Sequence, residues 1–373
     1  MNKKYLLPPG FRDDLSPIVE HEHSFTNKII SIFNSNGYLM VKPPLLEFLN
    51  KKDKNNKIFL IQNKKNKNKL KIRNDITMQV ARISSSRLKN LPRPLRLCYY
   101  GEVVRNDVSI LRPERQFLQI GAECIGENSY LADIEILILT FKSLDSVGIK
   151  DISIDFSSPI FLNYIINNLL IDNRKKDFLI YFKRKDINKA LSFLKDKSHI
   201  RFIKNIIRCR GSINKKEKIL KDLRINEKAS KEIDRILKIY NFIKNKYKKI
   251  NINIDFTESR SHDYYSGINF TVFSKNVRGE IASGGRYKTN LKNGETATGF
   301  TCYMDTILRA SHKIQKEKRI MIKFNTSAET IKKLIEKKFI IERYFQSQED
   351  IFKLALKKKC SHILRNNKIE LIK

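Results

Sequence analysis

Apolar positions recur along the chain with two periods, and the change of period separates its parts. After Ser16 and Pro17, a helix start, Phe25, Ile29, Ile30 and Phe33 repeat every three or four positions, the buried face of a helix that Asn36 and Gly37 end. The run YLMVKPPLLEF then reads as a strand broken by Pro43 and Pro44. A helix is expected from Thr77, with its hydroxyl as the cap, and another over 128–144, where Ile134, Leu137, Ile138 and Phe141 share a face. Between Arg96 and Gly126 the period becomes two, in two strands joined by a charged loop. Leu118, Ile120, Ala122 and Cys124 take one side of the second strand; Phe117, Gln119, Gly121, Glu123 and Ile125 take the other. ISIDFSS, from Ile152, is a further strand, and Ile268, Phe270 and Val272 alternate in another. Residues 160–250 alternate helical runs with lysine-rich turns, and 319–373 reads as strand, helix, strand, helix and two short strands around Asn366 and Asn367.

Within this pattern, Gln119 and Glu123 are polar on one face of a strand and roughly 13 Å apart. With the small Gly121 between them they suit the floor of a cleft for a small polar molecule; the alternative is the wet side of a half-exposed strand. The adjoining loop gathers Arg105, Arg112 and Arg115 with Glu102, Asp107 and Glu114, and arginine forks suit carboxylates and phosphates. A second cluster, RSHDYYSG followed by ASGG, Arg286 and Tyr287, joins tyrosines to a run small enough for close backbone approach.

Composition changes this picture little. A chain of 373 residues has room for one large domain and a smaller one. Its 75 Lys and Arg against 39 Asp and Glu give a net charge of +36, which by itself suggests nucleic acid. The lysines, however, are spread through every segment, so the charge reads as solvated surface. Cys98, Cys124, Cys209, Cys302 and Cys360 have no paired spacing, fitting a reducing compartment, and no metal or cofactor site is expected. No signal-length apolar stretch opens the chain and no run is long enough to span a bilayer, so a cytoplasmic location is expected.

GEVVR followed by RPERQFLQIGAECIG resembles motif 2 of the class II aminoacyl-tRNA synthetases, in its histidyl form. PPGFRD, the long helix, GY and PPLLE resemble motif 1, which in that family forms the dimer interface, and RSHDYYSG resembles the histidine-recognition motif. The resemblance implies an α+β fold: a class II synthetase-like antiparallel sheet flanked by helices over 1–318, with a helical insertion at about 160–250, and a small C-terminal α/β domain over 319–373. It also implies a histidine pocket. Asp75 and Thr77 would meet the amino group with Gln119 nearby, and Glu123 would read the imidazole. Arg260 would face the carboxylate and phosphate of the reacting centre, Tyr264 and Tyr265 are the paired tyrosines, Tyr287 is a pocket aromatic, and Arg105 completes the set. Read locally, Asp75 and Thr77 also suit a helix cap, the tyrosines sheet packing, and Arg260 a surface ion pair.

Two departures discriminate within the resemblance. Aligned on Gly299 and Phe300, ATGFTCYMDTILRA puts Asp305 and Thr306 where motif 3 has an acid and a triphosphate-binding arginine, and threonine offers phosphate no charged fork. The C-terminal unit is also shorter than the anticodon-binding domain of a histidyl-tRNA synthetase. Both favour the related regulatory subunits of ATP phosphoribosyltransferase. That family implies no catalytic residues and a short catalytic subunit as partner in the first step of histidine biosynthesis. It further implies dimers within a hetero-oligomer and histidine as feedback ligand, with no specific nucleic acid and no membrane. The alternatives are a divergent histidyl-tRNA synthetase, an adenylate-forming paralogue, or a basic RNA-binding relic.

Overall fold

A computed structural model describes residues 6–49, 58–61, 69–107, 112–169, 172–224, 226–258, 264–289, 294–311, 318–345 and 351–372. The chain divides into two compact units, Met1–His312 and Lys313–Lys373.

The first unit is built on a nine-stranded sheet. In spatial order its strands are Leu39–Met40, Leu95–Val104, Gln116–Ile125, Thr296–Tyr303, Glu280–Lys288, Tyr265–Ser274, Ile152–Ser157, Asn251–Ile254 and Gly211–Ser212. From Leu95–Val104 to Ile152–Ser157 every pairing is antiparallel. The edge strand Leu39–Met40 and the pair formed by Ile152–Ser157 and Asn251–Ile254 are parallel.

Alternation along Gln116–Ile125 assigns its two faces as the sequence pattern requires. Leu118, Ile120, Ala122 and Cys124 join the larger core, under helices Ile18–Ser35, Tyr130–Ser146 and Glu227–Lys246. Phe117 and Ile125 join a second core with Leu97, Tyr99, Tyr287 and Tyr303, against the helix Thr77–Ser86. A strand covered on both faces is not half-exposed, so its polar residues are buried: Gln119 is 0% and Glu123 1% exposed. Helix Tyr130–Ser146 is buried nearly all round, and Asp133 inside it ion-pairs with Arg286 (2.7 Å) and Arg235 (3.0 Å). That bridge fastens the helix to strand Glu280–Lys288 and to the helix ending the insertion.

Some local signals resolve differently from their expectation. Helix Ile18–Ser35 has Pro17 at its N-cap position, and no side chain caps it. At the next helix the Thr77 amide donates to Asp75 Oδ1 (2.9 Å), so the carboxylate caps the helix and the Thr77 hydroxyl is released for other work. The insertion runs through helices between Pro159 and Lys246. The second unit has a four-stranded sheet in the order Ile340–Tyr344, Arg319–Lys323, His362–Arg365, Lys368–Leu371, with helices Ala328–Glu336 and Ile351–Lys357.

Candidate functional site

The second face of the sheet opens into a cleft of about 1070 Å³, large enough for a drug-sized ligand. Asp75, Thr77, Arg105, Glu123, Tyr264, Tyr265 and Tyr287 all line it, so residues spread over more than 200 positions converge there. Arg260 lies outside the described residues. Gln119 does not line the cleft; it stands behind it, where its Nε2 donates to Asp75 Oδ2 (3.2 Å) and steadies that carboxylate. Arg105 reaches the same Asp75 oxygen at 3.9 Å and stacks over the Phe117 ring, 5.1 Å from its centroid.

Glu123 is the centre of this half. Its Oε2 accepts a hydrogen bond from the Tyr287 hydroxyl (2.9 Å) and its Oε1 accepts one from the Tyr99 hydroxyl (3.2 Å). Register explains the fit. Glu123 pairs across the sheet with Gly299, and any side chain on Gly299 would overlap the carboxylate. Gly121 pairs with Tyr99, and the space left by its missing side chain is filled by the Tyr99 hydroxyl, so it is not room for a ligand as the sequence suggested. Burial, only partly offset by the tyrosine hydrogen bonds, pushes the Glu123 carboxyl up to about 8, with the negative charge of Asp75 adding to the rise. Once ionised, the carboxylate has about four lone-pair sites, so Tyr287, Tyr99 and Thr77 still leave capacity for one ligand N–H. The Tyr264 hydroxyl is buried without a hydrogen-bond partner among the described residues, its ring stacked on Tyr287 at 5.4 Å.

The described lining of the cleft is richer in acidic side chains than the protein as a whole. Among the described residues six acidic ones line it (Glu47, Asp75, Asp107, Glu123, Glu258 and Glu280), of which Glu123 keeps its proton up to about pH 8, against three basic ones, Lys71, Arg82 and Arg105, in a chain of net charge +36. Glu47 is offset by Lys71 at 3.8 Å and Glu280 by Arg112 at 3.3 Å, but Glu123 has no ion-pair partner among the described residues. Such a lining favours a ligand with amine or imidazole nitrogens over a polyphosphate.

The neighbouring half is closed on itself. Arg112 donates to Asp305 Oδ2 (3.2 Å) and to the Glu280 backbone carbonyl (3.2 Å), and lies over the Tyr303 ring at 4.1 Å. The hydroxyl of Thr306, which is 0% exposed, donates within the fold, its acceptors being the carbonyls of Glu280 (2.9 Å) and Tyr303 (3.0 Å). Arg309 turns to Asp305 (3.4 Å) and Glu114 (3.7 Å). Sequence reasoning passed over Tyr99, Thr301 and Tyr303. Tyr99 shares the alternation of Leu95 and Leu97, but its contact with Glu123 depends on hairpin register.

A model of the histidyl-tRNA synthetase family matches residues 10–307. An ATP phosphoribosyltransferase regulatory subunit from Paramagnetospirillum magneticum is 33% identical over 86% of this chain and 86% of its own. Among solved structures, an ATP phosphoribosyltransferase regulatory subunit/histidyl-tRNA synthetase from Bacillus halodurans superposes with a TM-score of 0.80 at 21% identity, covering 95% of this chain and 97% of that one. A chain of the ATP phosphoribosyltransferase complex from Thermotoga maritima gives 0.58 at 19%, covering 78% and 98%. With a class II synthetase-like sheet and no arginine at the motif 3 position, the chain belongs to the family of ATP phosphoribosyltransferase regulatory subunits, built on the histidyl-tRNA synthetase core.

Proposed function

We propose that this protein is the regulatory subunit of an ATP phosphoribosyltransferase, working with a short catalytic subunit in the first step of histidine biosynthesis, and that free histidine binds the Glu123 cleft as the feedback ligand. The observation that carries this reading is the unequal state of the two halves of the site. Acidic and tyrosine groups face open space in one, while Thr306, Arg112 and the Oδ2 of Asp305 are spent on each other or on backbone in the next, only Asp305 Oδ1 of these three residues' side-chain oxygens lacking a partner among the described residues. Histidine presents an ammonium for Asp75 and ring nitrogens for Glu123 and the Tyr264 hydroxyl, so its polar groups match what the cleft offers. A nucleotide triphosphate would meet no free guanidinium at position 306. The chain therefore performs no aminoacyl transfer.

Incubated with ATP, histidine and labelled pyrophosphate, the purified protein should show no histidine-dependent exchange. Robust exchange would replace this reading with that of a working synthetase. The protein also self-associates, in this proposal, through the segment 39–48. Leu39, Met40, Leu45, Leu46 and Phe48 there are all at least 45% exposed, a concentration of apolar surface that marks an interface. Sedimentation should give a dimer that Leu39→Glu splits; a wild-type monomer at micromolar concentration would refute the association.

A further inference from the structure

The Tyr99 hydroxyl has three oxygen neighbours: Thr301 Oγ1 at 2.7 Å, Thr77 Oγ1 at 3.1 Å and Glu123 Oε1 at 3.2 Å. They come from three different elements, strand Thr296–Tyr303, helix Thr77–Ser86 and strand Gln116–Ile125. A phenol has one proton to give and two lone pairs, so three partners saturate it. Either threonine can donate or accept, but an ionised carboxylate only accepts. With Glu123 ionised, as when an imidazolium pairs with it, Tyr99 donates to Glu123 and accepts from Thr301, while the single Thr77 proton goes to Tyr99 or to Glu123. Tyr99 is 1% exposed, and burial first, with the Glu123 charge beside it, keeps its hydroxyl protonated and able to donate.

Tyr99 does not line the cleft, so it touches no ligand there. Its ring fills the space over Gly121 on the same strand as Glu123, which fixes the hydroxyl relative to the carboxylate. We infer that Tyr99 is a positioning residue, holding the Glu123 carboxyl in place and setting its proton affinity, so that the cleft recognises its ligand through a group Tyr99 orients. The inference deepens, and rests on, the reading of the cleft as a histidine site. The titratable groups facing Glu123 are Tyr99, Tyr287, Tyr264 and Asp75. The first two donate to it, and Asp75 repels its charge.

The test compares Tyr99→Phe with wild type in two measurements, histidine affinity by calorimetry and the titration of Glu123 by carboxyl ¹³C NMR in the ligand-free protein, and Thr301→Val with wild type in the second. Tyr99→Phe keeps the ring and removes only the donor. It should weaken histidine binding about 10-fold and move the Glu123 titration to higher pH. Thr301→Val leaves the Tyr99 proton on Glu123 and should move the Glu123 titration far less; because Thr301 itself lines the cleft, histidine affinity is compared only between Tyr99→Phe and wild type. A purely structural role for Tyr99 would leave the titration where it was. Histidine affinity within about two-fold of wild type, together with an unmoved titration in Tyr99→Phe, would overturn the inference. So would a Thr301→Val shift as large as that of Tyr99→Phe, since the proton would then be shared differently. If the wild type binds no histidine, the reading of the cleft fails, and the titration alone decides the role of Tyr99.

Discussion

The two halves of the cleft are built from the same strands yet handle their charges in opposite ways. Around Glu123, polar groups are buried but open: a carboxylate with a spare lone pair, a tyrosine hydroxyl without a partner among the described residues, and Asp75 steadied from behind by Gln119. Around Arg112 and Thr306, each group named is closed by an internal partner. Burying a polar group without a partner costs about 1–3 kcal/mol, so a fold tolerates the first arrangement where a ligand completes it. The second arrangement serves the fold itself. The contrast supports the proposed assignment of one half to binding and the other to structure, and it can be attacked from either side.

The largest effect is expected on the closed side. Replacing Arg112 with Met removes the guanidinium from Asp305, whose side chain is 3% exposed and whose Oδ1 is already without a partner among the described residues. An uncompensated buried charge costs about 3–5 kcal/mol; Arg309, 3.4 Å from the other oxygen, places the loss toward the lower end. Urea unfolding should show that loss, while histidine affinity of the folded variant stays near wild type. A variant of undiminished stability that no longer binds histidine would invert the assignment of the two halves.

On the open side, Glu123→Gln should do the reverse. The amide keeps the shape and one acceptor for the tyrosines but removes the charged acceptor. Stability should stay level or rise, because a buried carboxyl is itself a cost. Assembly with the catalytic subunit and its activation should persist. The histidine concentration that inhibits the complex should rise by about 10-fold to 150-fold, the range of a lost charged hydrogen bond of about 1.5–3 kcal/mol. Inhibition at the wild-type concentration would place the regulatory site elsewhere.

How much of this was readable in advance follows from the kind of contact involved. Alternation from Phe117 to Ile125 assigned Gln119 and Glu123 to one face, because strand periodicity is local and independent of partners. Its depth of burial was not legible, since that depends on the helix Thr77–Ser86 covering the second face. The role of Gly121 was misread for a related reason. A glycine advertises space, and only the register Tyr99 to Gly121 says who occupies it. Asp75, not Thr77, caps the helix, a choice decided when Tyr99 and Glu123 draw the Thr77 hydroxyl inward. The absence of an arginine at 306 followed from the resemblance to motif 3, but the internal use of Arg112 required the fold.

The smallest effect expected is on pH dependence, and its sign can be worked out. Glu123 in the empty cleft holds its proton up to about pH 8, and free imidazole holds one below about 6.5. An imidazolium on a Glu123 carboxylate carries one proton in all, the same count as neutral imidazole beside a protonated Glu123. Between those limits binding takes up and releases no proton, so affinity should be flat. Below about pH 6.5 the free partners hold two protons and one must leave, so affinity falls as pH drops. Above about pH 8 the free partners hold none and one must be taken up, so affinity falls as pH rises, by up to about 10-fold per pH unit on each side. Calorimetry across about pH 5.5–9.5 in buffers of different ionisation heat would count these protons directly. In Glu123→Gln the alkaline fall should become shallower, leaving only the part due to the ligand's own α-ammonium, while the acid fall remains, since the imidazole still titrates and the substituted amide does not. An alkaline fall as steep in Glu123→Gln as in wild type would mean that the group losing its proton near pH 8 is not Glu123, and that the open half reads its ligand through another residue.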